Sequence, residues 1–154
     1  DIVTTFENLN NPGGVLIFLN TTTDDSVKFS SPNLFPGLKG LPGKLTIADF
    51  DMDSRPDVAI AYAVSTDQPA ISIFRNTSIN NTLNIDSSIH INIGVNGSYV
   101  NTGDVDGDGR VDILTSSRDS NRITIIPNLT SPNSFLFGNP ISYTVKTHPA
   151  AVIT

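Results

Sequence analysis

Carboxylates recur at alternate positions in two short segments of the chain. Residues 104–112 read DVDGDGRVD, and an upstream copy at residues 49–57 reads DFDMDSRPD. Each copy places acids at loop positions 1, 3, 5 and 9, where they would repel one another unless a cation lay between them. Such a dense set of oxygen ligands suits a hard ion, and Ca²⁺ accepts about six to eight oxygens in flexible geometry. The sequence therefore predicts two calcium-binding loops.

The expected ligands follow from the loop numbering, in which position 7 supplies a backbone carbonyl. The first predicted site consists of Asp49, Asp51, Asp53, the Arg55 carbonyl and Asp57. The second predicted site consists of Asp104, Asp106, Asp108, the Arg110 carbonyl and Asp112. Gly109 at position 6 is expected to adopt a positive φ, and because Ser54 replaces it upstream, the first loop is predicted to be strained or weaker.

The residues that follow the loops favour strands. An EF-hand begins in a similar way but closes with an acidic residue at position 12, between two helices. Here position 12 is Ile60 in the first loop and Thr115 in the second, and apolar, β-rich runs follow both loops. The loops are therefore predicted to join strands. A pair of Asp/Gly-rich surface turns without metal is the alternative.

Composition narrows the class of protein. The chain has 154 residues, of which 38% are hydrophobic and 16% charged. This length and hydrophobic fraction are sufficient for one globular core. The formal net charge of −6, with nine scattered Lys and Arg, argues against a nucleic-acid interface. No apolar run is long enough to span a membrane. Cysteine is absent, so packing and bound metal are expected to supply stability.

Internal repetition extends beyond the two loops. Residues 15–20, 71–76 and 123–128 align with one another, and so do the three residues that start at Asp1, Asp57 and Asp112. The period is about 52 to 56 residues, which is typical of propeller blades or another β-array. The predicted repeats are 1–56, 57–111 and 112–154, or about 2.8 in all. Four strands are expected in a unit, at residues 58–63, 71–75, within 83–93 and at 98–103.

The segments around the loops resemble FG-GAP/VCBS repeats. The resemblance rests on residues 45–51 and 103–109, on the apolar residues after each loop, and on ISIFRNT at residues 71–77. Such repeats build the calcium-bearing β-propeller of integrin α subunits and of many bacterial surface proteins. The resemblance therefore implies an all-β fold of four-stranded antiparallel blades, with Ca²⁺ held by the loop carboxylates at the blade edge. Ser54 is the one departure within a loop.

The number of repeats bears on what surrounds the chain. About 2.8 repeats fall short of a closed propeller, which needs roughly four to eight blades, and open strand edges promote aggregation. The chain is therefore expected to belong to a larger secreted or cell-surface protein, or to complete a ring by self-association.

The function hypothesis is a non-enzymatic, calcium-stabilised extracellular module for adhesion or recognition of a protein or glycan ligand. His90 and His148 lack metal-ligand spacing, and the sequence has neither a nucleophile elbow nor a Gly-rich phosphate loop. Acids in metal-ligand register are not free for acid–base chemistry. Two alternatives remain: the propeller part of a carbohydrate-active enzyme resembling polysaccharide lyases, and a structural subunit of a surface filament.

Five Asn-x-Ser/Thr acceptors raise the question of glycosylation. They lie at Asn20, Asn76, Asn80, Asn96 and Asn128. Three of them share one repeat position just after a strand. A structural role in a turn is therefore favoured, with glycan attachment as the alternative.

Overall fold

The computed structural model describes residues 1–7, 13–23, 26–36, 38, 40–64, 70–80, 82–86, 89–131 and 135–152. Among these residues every regular element is a β-strand. The strands are β1 (Ile2–Phe6), β2 (Gly14–Phe18), β3 (Asn33–Pro36), β4 (Leu41–Ala48), β5 (Asp57–Val64), β6 (Ile71–Phe74), β7 (Ile89–Ile91), β8 (Tyr99–Gly103), β9 (Asp112–Ser117), β10 (Arg122–Ile126) and β11 (Ile141–Thr144).

The strands form three separate antiparallel sheets, which we call blades 1, 2 and 3. Blade 1 contains β1 to β3, blade 2 contains β4 to β7, and blade 3 contains β8 to β11, each in sequential order. Neighbouring strands are joined in simple up-and-down fashion, as short connections favour. The predicted all-β class and the propeller-blade architecture are confirmed, and the three blades form an open array rather than a closed ring.

The blades are offset by one strand from the repeats read in the sequence. The strand that precedes each acidic loop pairs with the strand that follows it, Ala48 opposite Asp57 in blade 2 and Gly103 opposite Asp112 in blade 3. Each loop therefore closes a hairpin, and β8 opens blade 3 instead of ending blade 2. The strand expected within residues 83–93 is represented by β7, which covers Ile89–Ile91. Residues 87 and 88 of the predicted range lie outside the described residues.

Two apolar layers hold the blades together, and β5 contributes to both because successive side chains point to opposite faces. The layer between blades 1 and 2 contains Val15, Ile17, Leu38, Val58, Ile60, Tyr62 and Phe74. The layer between blades 2 and 3 contains Phe50, Ala59, Ala61, Ala70, Ile71, Ile73, Ile93, Val100, Ile113 and Ile126. Burial on both faces explains the continuous apolar run of β5, which lacks polar alternation.

A small hairpin arm follows each of the strands β2, β6 and β10, and an Asn-x-Ser/Thr triplet begins each arm. Isolated bridges join Asn20 to Phe29, Asn76 to Ile85 and Asn128 to Phe137. In each triplet the Asn side-chain oxygen accepts the backbone N–H of the Ser or Thr two residues later, at 2.8 to 3.1 Å. These Asx turns give the three triplets the structural role expected of them.

Candidate metal centres

Each acidic loop is a hairpin connection whose first and last residues are held by strand pairing. β4 ends at Ala48 and β5 begins at Asp57, so the first loop spans the turn between them. β8 and β9 frame the second loop in the same way. Since adjacent blades carry these hairpins at equivalent positions, both acidic turns project from the same end of their sheets.

Three carboxylates converge in each loop. In the first loop the ligand atoms of Asp49, Asp51 and Asp57 lie within 4.8 Å of one another, and in the second those of Asp104, Asp106 and Asp108 do. Two oxygens on one Ca²⁺ lie no more than about 5 Å apart, because each bond is about 2.3 to 2.6 Å long. Both clusters can therefore hold a metal ion.

The two clusters do not contain the same loop positions. Asp53 is ion-paired with Arg55 rather than grouped with the first cluster. The carboxylate of Asp112 instead accepts two backbone hydrogen bonds, described below. The ligand roles of Asp53, Asp112 and the Arg55 and Arg110 carbonyls stay predictions.

Backbone N–H groups of the turn already point at the first carboxylate of each loop. Asp104 accepts from Gly107 at 2.7 Å and from Gly109 at 2.9 Å, and Asp49 accepts from Ser54 at 2.8 Å. These contacts fix the turn and leave the remaining lone pairs of the carboxylates for a cation. They are charge-assisted hydrogen bonds, which are stronger than neutral ones.

Positions 4 and 6 of both loops have left-handed backbone. Gly109 has φ of 84° and Gly107 of 80°, while Ser54 has 66° and Met52 has 60°. The predicted positive φ at Gly109 and strain at Ser54 are thus confirmed. Sequence reasoning missed position 4, although Gly107 in the second copy was the signal for it. The first loop therefore bears two non-glycine residues in a conformation that costs about 1 to 2 kcal/mol each.

Replacing Ser54 with glycine is expected to stabilise the metal-free protein by about 1 kcal/mol, since the strain is removed while unfolded-state entropy rises slightly. Urea unfolding in chelator measures this change. The matched control is Gly109→Ser, which introduces the same strain into the second loop and should destabilise by a similar amount. An unchanged or lower stability of S54G would contradict the strain assigned to this position.

A buried aspartate anchors each hairpin to the arm of its blade. Asp57 has no exposed surface; it accepts the N–H of Phe50 at 3.0 Å and that of Asn76 at 2.8 Å. Asp112 is 1% exposed and accepts from Val105 at 2.9 Å and from Asn128 at 2.8 Å. The aspartate thus joins loop, strand and arm, a role that sequence reasoning missed.

Asn128 carries this network from blade 3 to blade 2. Its Nδ2 donates to the Phe50 carbonyl at 2.8 Å and to the Val111 carbonyl at 3.1 Å, and the residue is 1% exposed. The amide nitrogen that a glycan would occupy is therefore engaged and buried in the folded protein. The first acidic loop is held from both of the blades that meet there.

An arginine from outside the loop, Arg75, adds positive charge to the first loop. Arg75 is ion-paired with Asp51, lies 3.8 Å from Asp53, and places its guanidinium carbon 5.9 Å from the centre of the Phe135 ring. In blade 3, Pro127 occupies the equivalent position. The second loop has its own pair, Arg110 with Asp108. The acids of the first loop are therefore better neutralised by the chain itself.

Burial raises the pKa of Asp57 to about 6 from its ordinary value of 3.8, although the N–H groups of Asn76 and Phe50 oppose the shift. Between these values the folded protein binds more protons than the unfolded chain. Stability from this group is therefore present at low pH and is lost as pH rises through about 6 in metal-free protein. A bound cation would favour the ionised form instead.

Calcium binding by the first loop is expected to weaken as pH is lowered through about 6, because the ion competes with the Asp57 proton. Calorimetric titrations of Asp106→Asn, which disables the second loop, isolate this site at pH 7.5 and at pH 5. Mild acid should reduce its apparent affinity several-fold. Equal affinities at both pH values would show that protonation of Asp57 does not affect calcium binding.

The fold and these loops define an all-β repeat protein with paired acidic hairpins. Residues 49–115, which span both loops, match the family model for FG-GAP-like repeats. This central part of the chain is similar to an FG-GAP-like repeat, and the resemblance read from the sequence is confirmed there. No curated protein and no solved structure matches the chain. A helix capable of crossing a membrane is not found within the described ranges.

Proposed function

We propose that the chain is a calcium-stabilised, non-enzymatic recognition module of a secreted or cell-surface protein. The observation that carries the proposal is the recurrence, in adjacent blades, of three carboxylates within 4.8 Å of one another. Asp49, Asp51 and Asp57 would hold one ion, and Asp104, Asp106 and Asp108 the other. Bound calcium would supply positive charge that offsets the mutual repulsion of the acids and would fix the hairpins.

The compartment follows from the strength expected of such sites. Loops that bring only three carboxylates together are expected to bind calcium weakly, in the range of extracellular modules, and to be filled only where calcium is abundant. FG-GAP-like repeats are typical of extracellular proteins, which supports the same assignment. The expected partner is a protein or glycan on the outside of a cell.

A buried Ser–His contact offers no support for the alternative of a carbohydrate-active enzyme. Ser72 Oγ lies 2.6 Å from His90 Nδ1 and accepts the Tyr62 hydroxyl at 2.8 Å. Ser72 and Tyr62 are fully buried beside the layer between blades 1 and 2. Since a substrate cannot reach a nucleophile there, the group supports a structural role.

The surface best placed for recognition lies on the acidic hairpins themselves. Met52 is 49% exposed in the first loop and Val105 is 43% exposed in the second. Apolar side chains beside bound calcium would give a ligand both a charged and an apolar contact. The recognition surface is therefore assigned to the loop end of blades 2 and 3.

Binding to immobilised extracellular proteins and glycans, with millimolar calcium or with chelator, tests the proposal. Calcium-dependent capture that Met52→Gln and Val105→Thr weaken, without altering calcium-dependent melting, is the expected result. Ile79→Gln, at a 65% exposed position on the blade 2 arm, is the matched control. Ligand binding that is the same in calcium and in chelator, and is unchanged in both loop variants, would contradict the proposal. Turnover of a polysaccharide by the protein would favour the enzyme alternative.

A further inference from the structure

The two outermost sheet faces are apolar, and their side chains are exposed or half-buried. On blade 1, alternation along the strands turns one face away from blade 2, and that leading face carries Ile2, Leu16, Phe18 and Leu34. On blade 3 the face turned away from blade 2 is the trailing face, which carries Ile123, Ile125, Ile141 and Tyr143. Leu34 is 55% exposed and Tyr143 is 53% exposed.

These faces are the two halves of a contact that the chain already makes twice. In the repeat register Phe18 corresponds to Phe74, which packs in the layer between blades 2 and 1. Ile125 corresponds to Ile73, which packs in the layer between blades 2 and 3. Blade 1 thus presents the surface that blade 2 uses to meet its predecessor, and blade 3 presents the surface that blade 2 uses to meet its successor.

We propose that the trailing face of one copy docks on the leading face of a second copy. Both halves of the contact are present on the same chain, and each would exclude water from aliphatic and aromatic side chains as the internal layers do. The contact is heterologous, so repeated docking closes a ring or extends a chain.

The direction of the contact makes the proposal testable by mixing. Leu34→Glu places a charge on the leading face, and Tyr143→Glu places one on the trailing face. Either variant alone should be monomeric, whereas the wild-type protein should have at least twice the monomer mass in sedimentation. A mixture of the two variants retains one undamaged contact and should regain a twofold mass. Ile79→Glu on the blade 2 arm is the control and should behave as wild type.

Cross-linking provides a second readout that does not require the protein to fold with a glutamate on either face. The chain has no cysteine, so Leu34→Cys and Tyr143→Cys proteins can be mixed and treated with a short bis-maleimide. A covalent dimer should form in this mixture but not when Ile79→Cys replaces Leu34→Cys. A wild-type protein that stays monomeric at its highest soluble concentration would overturn the proposal. So would an assembly unaffected by both face variants, which would place the contact elsewhere.

Discussion

Replacing Asp112 with alanine is expected to lower the free energy of unfolding by about 3 to 5 kcal/mol. The carboxylate is buried, and its two oxygens accept the N–H groups of Val105 and Asn128. Each N–H left without a partner in the interior costs about 1 to 3 kcal/mol. The loss should appear in chelator as well as in calcium, because the two hydrogen bonds are made by the chain itself. Urea unfolding in both solutions measures it.

Two further variants separate this structural role from metal binding. Asp112→Asn keeps the shape but turns an amide donor towards one of the N–H groups, so most of the loss should remain. Asp106→Asn alters an exposed loop carboxylate and should leave stability in chelator nearly unchanged. If Asp112→Ala were harmless in chelator, the aspartate would not be the anchor that its contacts indicate.

Millimolar calcium is expected to raise the free energy of unfolding by about 1 to 3 kcal/mol when both loops bind it, since a weak extracellular-type site at about one to ten times its Kd contributes about 0.4 to 1.4 kcal/mol. For a domain of this size each kcal/mol corresponds to about 2 to 4 °C in Tm. Thermal melting in calcium, in magnesium and in chelator measures the effect. Magnesium should give a smaller shift, because it demands stricter octahedral geometry and retains its waters.

The two loops should contribute unequally to this calcium effect. Arg75 already provides positive charge to Asp51 in the first loop, and blade 3 has proline at the equivalent position. Asp106→Asn should therefore remove the larger part of the shift and Asp51→Asn the smaller part, each judged by its difference between calcium and chelator. Equal losses would show that Arg75 leaves the site when calcium binds, and no calcium shift in wild type would contradict the proposed function.

Local sequence was sufficient for the features that depend on neighbouring residues. The alternation of acids in each loop and the glycine at position 6 encode a tight turn, and the β-rich runs that follow encode strands. The turn at Gly109 and the all-β class could therefore be predicted. Even the strain at Ser54 followed from comparing the two copies. These properties arise from backbone sterics within a few residues, so no distant contact was needed to reveal them.

Tertiary structure decided what lies opposite each loop. Position 9 was read only as a fourth ligand, whereas folding also buries Asp57 and Asp112 against backbone N–H groups that come partly from the arm, about 16 to 19 residues along the chain. The extra positive charge that Arg75 gives to the first loop likewise depends on tertiary structure, because β6 ends beside that loop. Sequence alone thus determined the acidic turns and the class of fold. Pairing between distant strands decided which acids are anchored by backbone N–H groups and which faces remain exposed, because burial and charge proximity are set by neighbours in space.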